Sequence, residues 1–294
     1  MIDSAIPDMT SFTIRRATPA DALACGKICY EAFCKINADH NFPPELPMEE
    51  VGIGILSHLF NAPGFQGFVA ESDGVILGSN VVDLRSPIAG IGPITIDPAI
   101  QNKGLGRALM QAVLDEARAN NAAGIRLIQS AFHNRSLSLY AKLGFDAREP
   151  LSVMNGDIPR AVPDGCSVRA ATADDQPACN ELCEKVHGFA RSKELVEGVE
   201  HGTALVVERH ARITGYASAF GYFGHSVGET NAEIISLIAS AKDIGGPGIL
   251  IPTRNAELFR WALNNGLRVL FPMTLMSMGL YNEPKGSYLP SVLF

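Results

Sequence analysis

Apolar residues along this chain recur at two periods, and their alternation lays out strands and helices before any chemistry is considered. Ile94-Thr95-Ile96 is a short apolar run ended by Asp97-Pro98. Proline cannot continue a ladder, so the run predicts a buried strand that stops in a turn. Leu105, Leu109, Ala112 and Val113 then return at helical spacing, with Arg107, Gln111, Asp115 and Arg118 on the opposite face. That pattern predicts an amphipathic helix of about four turns, ending near Asn120-Asn121. Ile125-Arg126-Leu127-Ile128 predicts another strand. Asn134 stands where an N-cap belongs, before a short helix that reaches Tyr140-Ala141-Lys142-Leu143 and stops at Gly144-Phe145.

The same pattern occurs twice. Residues 14–29 recur at 168–183, where Arg15, Thr18, Asp21, Cys25 and Cys29 align with Arg169, Thr172, Asp175, Cys179 and Cys183. Each copy reads as a strand, a Thr-x-x-Asp helix start and an amphipathic helix. Further on, Glu71 aligns with Glu208 and Asn134 with Asn255, so the second copy is about 17 residues shorter before Glu208 and about 16 shorter again before Asn255. The boundaries this implies are a first domain over 12–155, a second over 166–282 and a tail over 283–294, with Asn155 to Gly165 as linker. In the second copy Ile234 to Ile238 leads through a Gly245-Gly246 turn to the next strand, which leaves no room for a loop and four-turn helix like those of the first.

Composition narrows the partners. The chain has 294 residues, 47% of them hydrophobic, with a net charge of −7, enough for a large core in two domains and without the basic excess of a nucleic-acid or membrane binder. No apolar run reaches the roughly 18 residues of a spanning helix. Met1 to Ser11 lacks the basic start and apolar centre of a signal peptide, so the expected location is the cytoplasm. The six cysteines fall at Cys25, Cys29, Cys34, Cys166, Cys179 and Cys183. Without a second ligand pair at zinc spacing they read as small apolar residues on buried helix stripes, and no metal site is expected.

The chemistry concentrates in Gln101-Asn102-Lys103-Gly104-Leu105-Gly106-Arg107-Ala108. A glycine loop entering a helix presents free N–H groups and a positive dipole end, which suits a phosphate. A Walker loop would need a lysine after its glycines, and here the lysine precedes them. A dinucleotide fingerprint would need a third glycine where Leu109 stands. The pattern Q/R-x-x-G-x-G/A is met in full. With the Asn-capped helix and Tyr-x-x-x-Gly-Phe downstream, it resembles the pyrophosphate-binding loop of the GCN5-related N-acetyltransferase (GNAT) superfamily. The resemblance covers 12–155 well and 166–280 weakly.

The resemblance implies an α/β (α+β) fold of two tandem GNAT domains, each a mixed, mainly antiparallel sheet flanked by helices. It implies acetyl-CoA as co-substrate, held by the N–H groups and charges of residues 101–108, by Ile94, Thr95 and Ile96 along the pantetheine arm, and by Asn134. Tyr140 is implied as general acid to the leaving thiolate, and the acceptor as a primary amine on a small molecule or peptide. The segment from Asn37 to Pro63 would wall the acceptor pocket, with Asp39 and His40 as substrate contacts. The Phe294 carboxylate is a further candidate if the tail reaches that cleft. No carboxylate lies in Gly92 to Ile96, so the general base stays open among Asp83, Glu31, Asp39, His40, Phe294 and water. The second copy would be a scaffold without a cofactor loop. Two other readings stand beside acetyl transfer: transfer of a different acyl group, and a non-catalytic acyl-CoA-binding sensor or interaction protein.

Overall fold

The computed structural model describes residues 11–100 and 104–293. The chain divides into two compact units. One takes in the chain through Leu84 together with Ala89–Ala122, and the other takes in Arg85–Ile88 together with the chain from Ala123 onward. The limits 12–155 and 166–282 follow the repeat in the sequence, whereas this division follows the packing.

The first unit is a sheet with helices. Its elements are β1 (Thr13–Arg16), α1 (Ala22–Asp39), α2 (Glu49–Asn61), β2 (Phe65–Ser72), β3 (Val75–Asp83), β4 (Ile88–Ile91, whose first residue belongs to the other unit), β5 (Thr95–Ile96) and α3 (Leu105–Ala119). The strand order is β1-β2-β3-β4, and β5 also pairs with β3. Strand β1 lies antiparallel to β2 with Ile14 opposite Ala70. The start of α1 is fixed by a carboxylate and guanidinium lock. Asp21 accepts the Thr18 backbone N–H at 2.8 Å and its hydroxyl at 2.9 Å, while both Arg15 Nη atoms reach the same carboxylate at 2.8 Å. Such a fork fixes where the helix leaves the strand.

Helix α2 was not legible in the sequence, because Gly52 and Gly54 dilute its apolar stripe. Gly52 serves close packing instead: a Cβ on it would lie 2.6 Å from the Gly26 carbonyl oxygen, and one on Gly26 would lie 2.3 Å from Ile53 Cα, whereas a Cβ on Gly54 would meet nothing within 4 Å. Helices α1 and α2 therefore cross backbone to backbone. Cys25 and Cys29 lie on the buried face of α1 as free thiols, as do Cys179 and Cys183 on their helix in the other unit.

The second unit holds β6 (Gly124–Ser130), α4 (Asn134–Lys142), β7 (Asp146–Gly156), β8 (Ser167–Ala170), α5 (Gln176–His187), α6 (Ser192–Glu200), β9 (Leu205–Arg209), β10 (Arg212–Ala217), β11 (Ser226–Gly228), α7 (Asn231–Ser240), β12 (Ile249–Pro252), α8 (Ala256–Asn264), β13 (Leu267–Gly279) and β14 (Ser287–Leu289). Strands β6, β13, β7 and β12 lie side by side in that order. The last long strand of the second copy thus inserts between two strands of the first, with Leu275 opposite Ile128 on one edge and Glu149 on the other. A second sheet runs β14-β11-β10-β9-β8, antiparallel throughout.

One sequence expectation changes here. Ile234 to Ile238 is helical, inside α7, rather than a run-up to a strand. The tail contributes β14, with Tyr288 opposite Val227 and the Val292 N–H on the Tyr222 carbonyl at 2.8 Å. Its described residues therefore dock on the second unit, and Phe294 lies outside the described residues. The lock at the first helix recurs, as the repeat predicts: Arg169 holds Asp175 at 2.7 and 2.8 Å, and Asp175 accepts the Thr172 N–H at 2.7 Å. No helix among the described residues is long and apolar enough to cross a membrane.

Candidate functional site

The strand before the loop is broken where Gly92-Pro93 predicts a break. Ile91 pairs with Val82, and Thr95 pairs with Ser79. Three residues, 92 to 94, therefore stand opposite two, Val81 and Asn80, which defines a bulge. Its first residue, Gly92, has a φ of 141° and donates its N–H to the Val81 carbonyl at 3.0 Å. Ile94 falls in the bulge rather than in a strand, so the regular strand is reduced to Thr95 and Ile96. The Asp97 N–H continues the pairing, bonding the Leu77 carbonyl at 3.0 Å.

Gln101, Asn102 and Lys103 lie outside the described residues. Beyond them Gly104 is the N-cap of α3 with φ 84°, in the left-handed region, and no side chain caps the helix. A Cβ at Gly104 would meet nothing within 4 Å, so the entrance is open. The first intrahelical bond runs from the Ala108 N–H to the Gly104 carbonyl at 3.1 Å. Ala108 is therefore committed to the helix, and the N–H groups aimed off its end are those of Leu105, Gly106 and Arg107. The Leu105 side chain is buried, with Leu109, Met110, Val113, Leu114 and Ala117 along the same face, while Arg107 is exposed. Three free amides at the positive end of a helix dipole are an arrangement that can receive an anion.

The second copy shows the alternative. Only Glu229 and Thr230 separate β11 from α7, and the end of α7 is stopped by its own side chains. Glu233 accepts the Thr230 N–H at 2.9 Å and its hydroxyl at 2.6 Å, the Thr230 hydroxyl accepts from the Ala232 N–H at 3.2 Å, and Arg209 neutralises Glu233 at 2.8 Å. Thr230 and Glu233 thus cap α7 reciprocally, where α3 has no side-chain cap. Ala262 on α8, near the position equivalent to Tyr140, is fully buried and has no group to donate a proton.

Tyr140 sits on α4 with only 6% of its surface exposed, edge-on to Phe145 with ring centroids 6.3 Å apart. Burial pushes its phenol well above the ordinary range, so at neutral pH it is a proton donor. Asn134 corrects the sequence reading. It is the first residue of α4, not its cap; His133 takes the cap position and makes no side-chain cap bond. The exposed Asn134 carboxamide is thus not spent on the helix, and its backbone carbonyl accepts from the Ser138 hydroxyl at 2.8 Å.

On the acceptor side, Asp39 and His40 lie at the exposed end of α1. Asp39 pairs with Lys35 at 2.7 Å, and His40 Nδ1 contacts the Ile36 carbonyl at 2.9 Å, an end-cap geometry. Glu31 is exposed, and Asp83 is buried at the end of β3. A buried carboxylate that the sequence does not single out is Glu45, in the α1–α2 loop and only 6% exposed. Nothing in its spacing distinguishes it from a surface acid. Among the described residues no group of three or more His, Cys, Asp or Glu could hold a metal ion.

Comparison with known proteins bears on the first copy and on the fold. Residues 31–145 match the acetyltransferase (GNAT) family model. A mycothiol acetyltransferase of Thermomonospora curvata is 29% identical over 148 residues, covering 49% of this chain and 48% of that protein. The chain thus spans about half the length of that curated relative. A solved structure from Pyrococcus horikoshii aligns with a TM-score of 0.71 at 19% identity, covering 95% of this chain and 92% of the other. A tandem GNAT protein from the clavulanic acid biosynthesis pathway aligns at 0.55 and 14%, covering 92% and 98%. At such identities the two structures show the fold. The family match thus lies within residues 31–145, and the chain as a whole has the fold of those two structures.

Proposed function

We propose that the protein is an N-acetyltransferase that moves the acetyl group of acetyl-CoA onto a primary amine by direct attack. The observation that carries this reading is the contrast between the two helix entries, open at α3 and plugged by Glu233 at α7. One copy keeps an anion cradle behind a bulged strand, and the other has replaced it. The first copy is accordingly the site of chemistry, with one cofactor bound per chain.

In this mechanism the amides of Leu105, Gly106 and Arg107 bind the pyrophosphate, and the Gln101–Lys103 segment completes the loop. The backbone of Thr95 and Ile96 aligns the pantetheine arm, with Ile94 in the bulge before them. A backbone N–H of this segment polarises the thioester carbonyl, a role such donors fill at fixed positions in acyl transfer. The Asn134 carboxamide contacts the arm. Tyr140 protonates the departing thiolate, for which a neutral buried phenol is suited. The likeness to mycothiol acetyltransferases supports acetyl transfer, and the acceptor is a small-molecule or peptide amine. The net charge of −7 supports a partner that is neither nucleic acid nor an anionic membrane surface.

The test is thiol release from acetyl-CoA with a broad amine panel, paired with direct measurement of acetyl-CoA binding. Turnover with at least one amine, lost in Tyr140→Phe, is the expected result. Binding without thiol release on any amine would replace the enzyme by a sensor. Preference for a longer acyl-CoA would replace the acetyl group.

A further inference from the structure

The second unit holds a cavity of about 430 Å³ that the reading above does not use, a size within the usual range of small-molecule sites. Arg85, Pro87, Glu184, Gly188, Phe189 and Lys193 line it, and all six belong to that unit. It lies at the turn between α5 and α6, where the two copies differ. Helix α1 runs 18 residues, whereas α5 stops after 12 and only Gly188–Arg191 leads to α6. Gly188 turns the chain with φ 83°, and a Cβ there would lie 2.3 Å from Asn282 Nδ2. The same Nδ2 donates to the His187 carbonyl at 3.2 Å, which ties the turn to the segment after β13.

Part of the lining is held in place before any ligand arrives. Phe189 is 8% exposed, with Arg126 Cζ 5.2 Å from its ring centroid, and the same carbon lies 5.0 Å from the Tyr281 centroid. Such cation–π stacking fixes the Phe189 ring. The Arg85 side chain is engaged by Glu194 at 3.7 Å and by Glu197. Pro87 adds a second rigid ring to the lining. An apolar group entering here meets a surface with little freedom left to lose.

Two charges on the lining are uncommitted. Glu184 stands in the last turn of α5 and Lys193 in the first turn of α6, and both are exposed. Among the described residues neither side chain makes an ion pair or a hydrogen bond, and no ion pair joins the two. Their charged neighbours are paired elsewhere: Lys185 with Glu229 at 2.9 Å, and Arg191 with Glu194 at 2.8 Å. One cavity therefore offers a carboxylate, an ammonium and an apolar surface together. A ligand that satisfies all three carries both charges and an apolar body.

We infer that this cavity is a binding site for a free α-amino acid with an apolar side chain. Lys193 receives its carboxylate, Glu184 its ammonium, and Phe189 and Pro87 its side chain. A simple carboxylate or a simple amine would engage one of the two charges and leave the other in water. The second copy is then a ligand-binding domain and not a scaffold alone. The inference goes beyond the acetyltransferase reading and does not depend on it, because binding here needs no acetyl-CoA.

The test is calorimetric titration of the full chain, without acetyl-CoA, using L-phenylalanine and L-leucine and then analogues of each that lack the ammonium or the carboxylate. At least one amino acid should bind, and its analogues should bind about tenfold more weakly, the loss of one charge-assisted contact. Glu184→Gln should weaken the amino acid about tenfold and leave the carboxylate-only analogue unchanged. Lys193→Met should weaken the amino acid equally and leave the amine-only analogue unchanged. Both positions are exposed, so the thermal midpoint should stay near wild type. No binding of either amino acid at about 10 mM would overturn the inference, as would binding that neither substitution changes or an analogue that binds as tightly as its parent. Failure of acetyl transfer on every amine would leave this result untouched.

Discussion

Gly104→Asp should convert the open helix entry of the first copy into the plugged entry of the second. Gly104 is exposed, has φ 84° and has no atom within 4 Å of the Cβ to be added. An aspartate there reaches the amides of Gly106 or Arg107 as N-cap side chains do. Glu233 and Thr230 already cover the end of α7 with their own oxygens. A single negative charge about 5 Å from a diphosphate of charge about −2 repels it by about 1.7 kcal/mol at the dielectric of water. Covering one amide removes about 1.5 kcal/mol more of charge-assisted hydrogen bonding. The sum, about 3 kcal/mol, weakens acetyl-CoA binding roughly two hundredfold. The fold loses far less. Left-handed backbone costs aspartate about 1 kcal/mol, of which the new cap returns a few tenths. Titration calorimetry with acetyl-CoA and a thermal melt read both quantities, and Gly104→Asn, without the charge, should fall between wild type and Gly104→Asp. A folded Gly104→Asp protein that binds acetyl-CoA within threefold of wild type would show that the α3 entry is not the cofactor site.

Three further outcomes follow from the same geometry. Tyr140→Phe should reduce kcat about a hundredfold with little change in acetyl-CoA affinity, because the ring and its contact with Phe145 remain; single-turnover thiol release measures it. Asp21 is held down at about 2 by the Arg15 guanidinium, so its folded value lies below its unfolded one. Its contribution is complete above about pH 4 and disappears as pH falls through about 2. Asp21→Asn should therefore lower stability by about 1 kcal/mol at pH 7, after allowance for the half-exposed Arg15, and progressively less as pH falls through about 2, as denaturant titrations at neutral and low pH would show. Gly26→Ala should destabilise the protein by about 2 kcal/mol or more, since its Cβ would lie 2.3 Å from Ile53 Cα; calorimetric melting tests this, and an unchanged midpoint would contradict the close crossing of α1 and α2.

The buried polar lock at each first helix was readable as Arg15 with Thr18-x-x-Asp21 and again as Arg169 with Thr172-x-x-Asp175, because each lock closes within a few residues of its own segment. The amphipathic stripe of α3 was readable for the same reason: helical neighbours are fixed by spacing. Asn134 was misread as a cap because cap position depends on where the preceding turn delivers the chain, and that turn places His133 there instead. Ile94 was read into a strand because a bulge is a mismatch with a partner strand, and the partner is not local. Glu45 reads like any loop acid, because its burial depends on contacts outside its own segment.

Spacing and turn chemistry along the chain are enough to give the repeated units, the amphipathic helix that follows the glycine motif in one copy, and the helix beyond it that carries Tyr140. All of these depend on contacts within about 30 residues, where periodicity and turn chemistry govern. Tertiary structure alone decided that β13 of the second copy inserts between β6 and β7 of the first, that Glu233 fills the end of α7, and that Glu45 is buried. Strand order and the burial of a lone carboxylate depend on residues far apart in the chain. No local pattern carries that information, because hydrophobic burial rewards any partner surface of the right shape and does not name it.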